Sequence, residues 1–394
     1  MPGSVIIAGA RTPIGKMSGA FASLTAMDLG GVAIKAALER AGVEPEEVDY
    51  VFMGQVLQAG QGQITARQAA DKAGIPLTVP STTINKVCLS GLNTIYLADQ
   101  MINAGDADIV VAGGMESMTN APYLLPNARA GYRMGDQTVI DAMLYDALWD
   151  AFDKVPMGAG TEGYTGQKSE ITRERQDAFA AASHERAAAA IKDGRFNDEI
   201  VGVSVAQRKG DPVVIETDEG VRPGTTVESL AALRPAFSKD GTITAGNASQ
   251  ISDAGGAVIV MSRAAAERRG ATPLGEVVGY GQVAGPDTSL LTQPSRATKR
   301  ALDRAGLALS DVDLFEFNEA FASVGLASMD DLGLSDDVVN VNGGAIALGH
   351  PVGMSGTRLA LTLLHELKRR GGGLGAAALC GGGGQGDALL VRAL

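Results

Sequence analysis

The apolar positions of residues 33–54, "AIKAALERAGVEPEEVDYVFMG", fall at helical spacing as far as Gly42, then cluster again after a short polar loop. The pattern predicts an amphipathic helix, a glycine stop, a loop and a buried strand. It recurs without gaps at 297–318, "ATKRALDRAGLALSDVDLFEFN", an offset of 264 residues. Nine of the 22 positions are identical, among them Leu38/Leu302, Gly42/Gly306 and Asp49/Asp313. Two copies of one structural unit are therefore present.

The correspondence continues at nearly the same offset. A helix is predicted over 89–104 and another over 355–370, each followed by an apolar strand running into glycines, "DIVVAGG" (108–114) and "GAAALCGGGG" (375–384). The second copy closes at once with "DALLVRAL", whereas its counterpart "GGAVIVMS" (255–262) comes some 140 residues late. This implies two homologous α/β halves, residues 1–119 plus 250–270 and residues 271–394, with an inserted domain over 120–249. Within the insert, "PYLLPNARAGYRMGDQ" reads as an extended loop and "RERQDAFAAASHERAAAAIKDG" as a helix. Two related halves packed together bring equivalent strand–helix corners to one shared site.

Composition narrows the setting. The 394 residues are 45% apolar with 52 glycines, enough for a closely packed core of small and aliphatic side chains. A net charge of −12 argues against a nucleic-acid or anionic-membrane surface. The start of the chain reads as a first strand with no basic residues ahead of it, unlike a signal peptide, and no apolar run is long enough to span a membrane. A cytoplasmic protein is expected. The two cysteines, 292 positions apart with no CxxC or histidine pair beside them, fit neither a metal site nor a disulfide framework.

Both cysteines fall at corners. Cys88, in "NKVCLSG", lies between a strand and the predicted 89–104 helix, where unpaired N–H groups and the helix dipole favour thiolate. An unperturbed thiol of pKa ~8.5 needs such help to act as a nucleophile at neutral pH. Gly91 leaves room for close approach of backbone or ligand. Three histidines are candidate bases. His184 sits in a polar, alanine-rich helix and is expected to face solvent; His365 reads as a structural residue late in a helix. His350, in the glycine-rich turn "GGAIALGHPVGMSG", is the functional candidate, equivalent within two residues to Cys88 in the repeat. Asn318 and Glu319, in "FEFNEAFA", stand where a strand gives way to a helix, a place that also suits Asn as an N-cap. Cys380 ends an apolar strand at "GGGG". Residues 381–386 satisfy GxGxxG, but a strand follows instead of a helix, which excludes a dinucleotide site.

Taken together, "NKVCLSG", "VAGGMESMT", "GNASQISDAGGA", "FEFNEAFA", "NVNGGAIALGHPVGMSG" and "LCGGGGQG" resemble the thiolase family over nearly the whole chain, most of all its acetyl-CoA acetyltransferases. The resemblance implies an α/β protein of two duplicated α/β/α/β/α halves in a five-layer arrangement with an inserted loop domain, assembled as a homotetramer through the segment near 120–140. It implies a ping-pong Claisen reaction on acetyl-CoA, giving acetoacetyl-CoA and CoA, with no cofactor and no metal. Cys88 would be the nucleophile, His350 its proton acceptor and Cys380 the base for the second substrate. One oxyanion site would come from His350 and a water on Asn318, the other from the N–H groups of Cys88 and Gly382. Arg222, Ser229, Ser249, Met157 and Phe321 would bind the CoA substrate.

The chain also departs from the family pattern. Pro156 stands where short-chain members have His before Met157-Gly158, "SLLTQP" (289–294) replaces a "VMGTGP"-like loop, Gly381 replaces Ile, and Gln385 replaces Met. These changes leave a broader-chain 3-ketoacyl-CoA thiolase as the alternative substrate reading. A β-ketoacyl carrier-protein synthase would have no need of Cys380 as a base, and a non-catalytic scaffold would have no need of the four chemical residues together.

Overall fold

The computed structural model describes residues 3–168 and 170–394. Among these residues the main sheet follows the order Leu314–Phe317, Gly373–Gly381, Gln385–Ala393, Gly275–Ala284, Ser4–Arg11, Ser252–Ser262, Ile109–Ser117, Tyr50–Gly54 and Ser81–Ile84. Pairing is symmetric about the junction of Ser4–Arg11 with Gly275–Ala284. Moving outward on either side, two further pairings are antiparallel and the next is parallel.

Five layers follow from which faces are apolar. Helices Ala26–Ala41 and Thr65–Lys72 cover one outer face, packing Ile34, Ala37 and Ala66 on Val51, Val111 and Ile259. Helices Ser90–Ala104 and Ser355–Arg369 lie between the halves, where Leu92, Ile95, Leu359 and Leu363 meet Phe52, Val110, Leu389 and Val391. Helices Gln293–Ala305 and Ala322–Leu332 close the other outer face through Ala297, Ala301 and Met329 on Phe315, Ala376 and Leu390. The strands have apolar side chains on both faces, as a covered sheet requires.

The repeat extends to individual hydrogen bonds. Helix Ala26–Ala41 ends at Gly42 and helix Gln293–Ala305 at Gly306, both left-handed at φ 60° and 67°, the conformation a C-terminal glycine stop supplies. The Asp49 N–H donates to Ile109 O (2.9 Å) and its carboxylate accepts the Ile109 N–H (2.9 Å). Asp313 makes the same pair of bonds with Leu374, both 2.8 Å. Each aspartate thereby fixes the start of the adjacent strand of its half, and in the second half that strand ends at Cys380.

The segment over 120–249 is irregular at first, with the short pair Tyr123–Leu124 and Ile140–Asp141, and then forms helix Arg173–Lys192. His184 on that helix is buried, contrary to the expectation of a solvated face. The alanines are there for close packing: a Cβ on Gly343 would lie 2.6 Å from Ser183 O and 2.7 Å from Ala187 Cβ. His365 is half-buried on Ser355–Arg369. Among the described residues, no helix is long and apolar enough to cross a membrane.

Candidate active site

Strand Ser81–Ile84 leads into a tight turn that carries Cys88 to the head of helix Ser90–Ala104. Local bonds shape the turn. Lys86 N–H donates to Ser90 Oγ (2.8 Å), Ser90 Oγ donates to Val87 O (2.6 Å), and Asn85 Oδ1 accepts the Val87 N–H (3.0 Å). Val87 is held at φ 51°, a conformation that costs a β-branched residue about 1–3 kcal/mol. Gly91 makes room for backbone from the other half: a Cβ there would sit 2.9 Å from Gly353 O. That contact locks the Cys88 turn to the His350 loop.

His350 lies between the short helix Ala345–Leu348 and helix Ser355–Arg369. Ser355 Oγ donates to Pro351 O (3.0 Å), so the 2.5 Å contact of Ser355 Oγ with His350 Nδ1 is donated by the ring. That assigns the proton to Nδ1 and leaves Nε2 as the acceptor, 3.3 Å from Asn318 Nδ2. Burial first, then the charge of Arg358, pulls the imidazole down to about 3. The ring is neutral at pH 7, as a proton acceptor must be.

Asn318 follows strand Leu314–Phe317, and its N–H bonds Ala378 O on the strand carrying Cys380 (3.0 Å). It caps no helix, since the next helix begins at Ala322 with Phe321 in the cap position. Among the described residues its buried Oδ1 has no partner. Glu319 is instead saturated by Ser183 Oγ, Asn340 Nδ2 and the Ile346 N–H (2.7, 2.8 and 3.0 Å), a clamp on the loop before His350.

Cys88, His350, Cys380 and Gly382 line one cavity of about 50 Å³. Leu148, Met157, Leu290 and Phe321 supply apolar walls, and Ser249 also lines it. Electrostatics reverse one expectation. Burial pushes the Cys88 thiol up to about 12, against its own turn's N–H and with the help of the Glu116 charge. Burial and then the neighbouring Cys88 raise Cys380 well above the usual thiol range. The head of the helix does not offset desolvation, so both sulfurs rest as thiols. Among the described residues, no cluster of three or more His, Cys, Asp or Glu is arranged to hold a metal.

Arg222 and Ser229 lie outside the cavity lining, and both are exposed. Ser229 sits in the first turn of helix Val227–Ala231, bonded to Thr226. The Arg222 N–H donates to His184 Nδ1 (3.2 Å), and Gln250 Nε2 ties Gly220 O to Ile346 O and Ala347 O (3.0, 2.9 and 3.0 Å). The Arg222 segment is thus fastened to the His350 loop beside the cavity.

Residues 4–264 match the family model described as thiolase, N-terminal domain, and residues 271–393 that described as thiolase, C-terminal domain. The chain belongs to the thiolase family. It is 57% identical to a probable acetyl-CoA acetyltransferase of Mycolicibacterium smegmatis, over 98% of this chain and all of that one. It is 53% identical to an acetyl-CoA acetyltransferase of Cupriavidus necator, over 98% of each. The crystal structure of the Bacillus anthracis acetyl-CoA acetyltransferase superposes with a TM-score of 0.97 at 41% identity, covering 100% of this chain and 99% of that one.

Within this thiolase, two residues near the site escape sequence reasoning. Glu116 is fully buried at the end of Ile109–Ser117 and accepts the N–H groups of Val56 (2.9 Å), Leu57 (3.1 Å) and Gly353 (2.9 Å). Desolvation pushes it up to about 7 against those three bonds. A charged residue ending an apolar run, in "VAGGMESMT", was the available signal. Leu89 is the other: a Cβ on Gly381 would lie 2.6 Å from Leu89 Cγ, so the glycine after Cys380 makes space for that leucine.

Proposed function

We propose that this thiolase is an acetyl-CoA C-acetyltransferase, condensing two acetyl-CoA to acetoacetyl-CoA and CoA, or cleaving acetoacetyl-CoA in reverse. The observation that carries the reading is the single small cavity shared by Cys88, His350, Cys380 and Gly382, with leucine, methionine and phenylalanine walls. Cys88 Sγ attacks the thioester carbonyl while its proton passes to neutral His350, which returns it to the departing CoA sulfur. Because both thiols rest protonated, proton transfer accompanies attack. A second acetyl-CoA then loses an α-proton to Cys380. Cys380 must first give up its own proton, and among the lining residues His350 is the only side chain suited to hold it. The carbanion attacks acetyl-Cys88, and the released Cys88 thiolate recovers the proton from His350. The N–H groups of Cys88 and Gly382 are assigned to one developing oxyanion, and His350 with a water on Asn318 to the other. The unpartnered Asn318 Oδ1 supports the water.

In this reading Met157, Ser249 and Phe321 contact the reacting end of the CoA substrate, while exposed Arg222 and Ser229 contact its outer part. No cofactor takes part. The division into halves over 1–119 with 250–270 and 271–394, with an insert over 120–249, belongs to the same proposal, as does a cytoplasmic tetramer in lipid metabolism. Exposed Tyr123, Leu125, Met134, Val139 and Tyr145 support assembly through the insert. The edge of Ser81–Ile84, unpaired among the described residues, supports pairing with a second copy.

Chain length tests the substrate. Thiolysis of acetoacetyl-CoA should exceed that of a 3-ketooctanoyl-CoA by at least about ten-fold in kcat/KM if the walls of Leu148, Met157, Leu290 and Phe321 set the acyl length. Equal or better use of the longer chain would favour the broader 3-ketoacyl-CoA thiolase.

A further inference from the structure

Lys86 stands two residues before Cys88, and Asp387 lies opposite Leu379 on the strand paired with the one carrying Cys380. The Lys86 ammonium is 2.8 Å from each Asp387 oxygen. Tyr280 donates its hydroxyl to Asp387 Oδ2 (2.6 Å) and receives Asn93 Nδ2 (3.3 Å), while Tyr96 stacks on its ring at 4.2 Å and 9°. Asp387 is fully buried and Tyr280 nearly so, whereas the Lys86 side chain is 21% exposed. In the first half, Gly256 opposite Gly114 is the register equivalent of Asp387 opposite Leu379.

The pair joins the two segments that carry the reacting sulfurs. Between Lys86 and Cys88 stands Val87 at φ 51°, and such a conformation persists only where its surroundings over-determine it. On the other side the hairpin from Gly373–Gly381 to Gln385–Ala393 presents Cys380 and Gly382. We propose that Lys86 and Asp387, backed by Tyr280, are positioning residues that hold the strained Cys88 turn in register with the Cys380 hairpin. The proposal rests on the reading of Cys88, Cys380 and Gly382 as reacting groups. An oxyanion site shared by the Cys88 and Gly382 N–H groups exists only while turn and hairpin stay aligned. Neither Lys86 nor Asp387 lines the cavity, so their loss should act on turnover and leave substrate binding alone.

The test compares the wild-type enzyme with Lys86→Met, Asp387→Asn, Lys86→Arg, Tyr280→Phe and the double variant Lys86→Met/Asp387→Leu. Acetoacetyl-CoA thiolysis, acetylation of Cys88 by acetyl-CoA and thermal melting are followed for each. Misplacement of reacting groups by about an ångström predicts a loss of roughly 10- to 100-fold in kcat for Lys86→Met and Asp387→Asn, with KM within about two-fold. Lys86→Arg should recover most of the rate, and Tyr280→Phe should lose only a few-fold. The double variant buries no lone charge, so it keeps the test alive if a single variant fails to fold; its kcat should be no lower than the worse single. Variants that lose melting temperature but keep wild-type kcat would overturn the proposal, as would Lys86→Arg no better than Lys86→Met. A wild-type enzyme that forms no acetyl-Cys88 would overturn the underlying function as well; one that forms it normally while the variants match it overturns only the clamp.

Discussion

The two halves of the molecule share their scaffold and divide their chemistry. Gly42 and Gly306 end equivalent helices in the same left-handed conformation, and Asp49 and Asp313 make the same two bonds to the next strand. Those bonds align Ile109 with Leu374, an offset of 265, which sets Met115 opposite Cys380 in the repeat. Met115 lies in the apolar core against Gly30, where a Cβ would come 2.6 Å from its sulfur. Cys380, at the matching place, opens onto the cavity beneath Leu290 and Phe321. Duplication supplies two frames, and function resides where the frames differ.

The sharpest way to break that comparison is at the paired sulfurs. Cys380→Ser should cut acetoacetyl-CoA formation about 10²- to 10⁴-fold, the usual worth of a general base, while Met115→Leu should leave the rate within about two-fold and cost under ~1.5 kcal/mol. Steady-state assays and urea unfolding on the two variants check this; comparable rate losses would erase the functional distinction between the halves. A second change acts on the meeting of the halves at Leu89 and Gly381. Gly381→Ala should cost about 1–3 kcal/mol through overpacking. Combined with Leu89→Ala, the total should fall short of the two separate costs added together. Additive costs would mean that the two positions do not share the space.

The smallest effect concerns the insert. Burial first, then the Arg222 charge, lowers His184 to about 4 from an unfolded value near 6.5. Above pH 6.5 both states are neutral and the histidine adds no pH dependence. As pH falls below 6.5 the unfolded chain takes the proton first, so stability is lost progressively until about pH 4. Between pH 6.5 and 5 this amounts to at most about 1.6 kcal/mol, less any screening by solvent. His184→Asn should flatten the urea-unfolding profile over that range by a comparable amount. A wild-type slope in the variant would mean that His184 titrates normally in the folded protein.

Much of this was readable along the chain because it was local or repeated. Helical spacing located Ser90–Ala104 and Ser355–Arg369 within one residue, and the offset brought Cys88 and His350 to one cavity. What escaped depends on partners far away in sequence. His184 looked solvated because nothing in an alanine-rich helix announces that Gly343 will pack against it. The Cys88 thiolate was expected from a helix terminus, yet desolvation by walls drawn from seven other stretches of the chain outweighs it. Lys86 and Asp387 are 301 residues apart, and neither is unusual alone.

The central claim is that Cys88 carries the acyl group between half-reactions. Peptide-mapped mass spectrometry after brief exposure to acetyl-CoA, with no second substrate, tests it directly. The account predicts a single acetyl group on the Cys88 peptide, discharged when CoA is added. An enzyme left unmodified at Cys88, or acetylated only at Cys380, would contradict it.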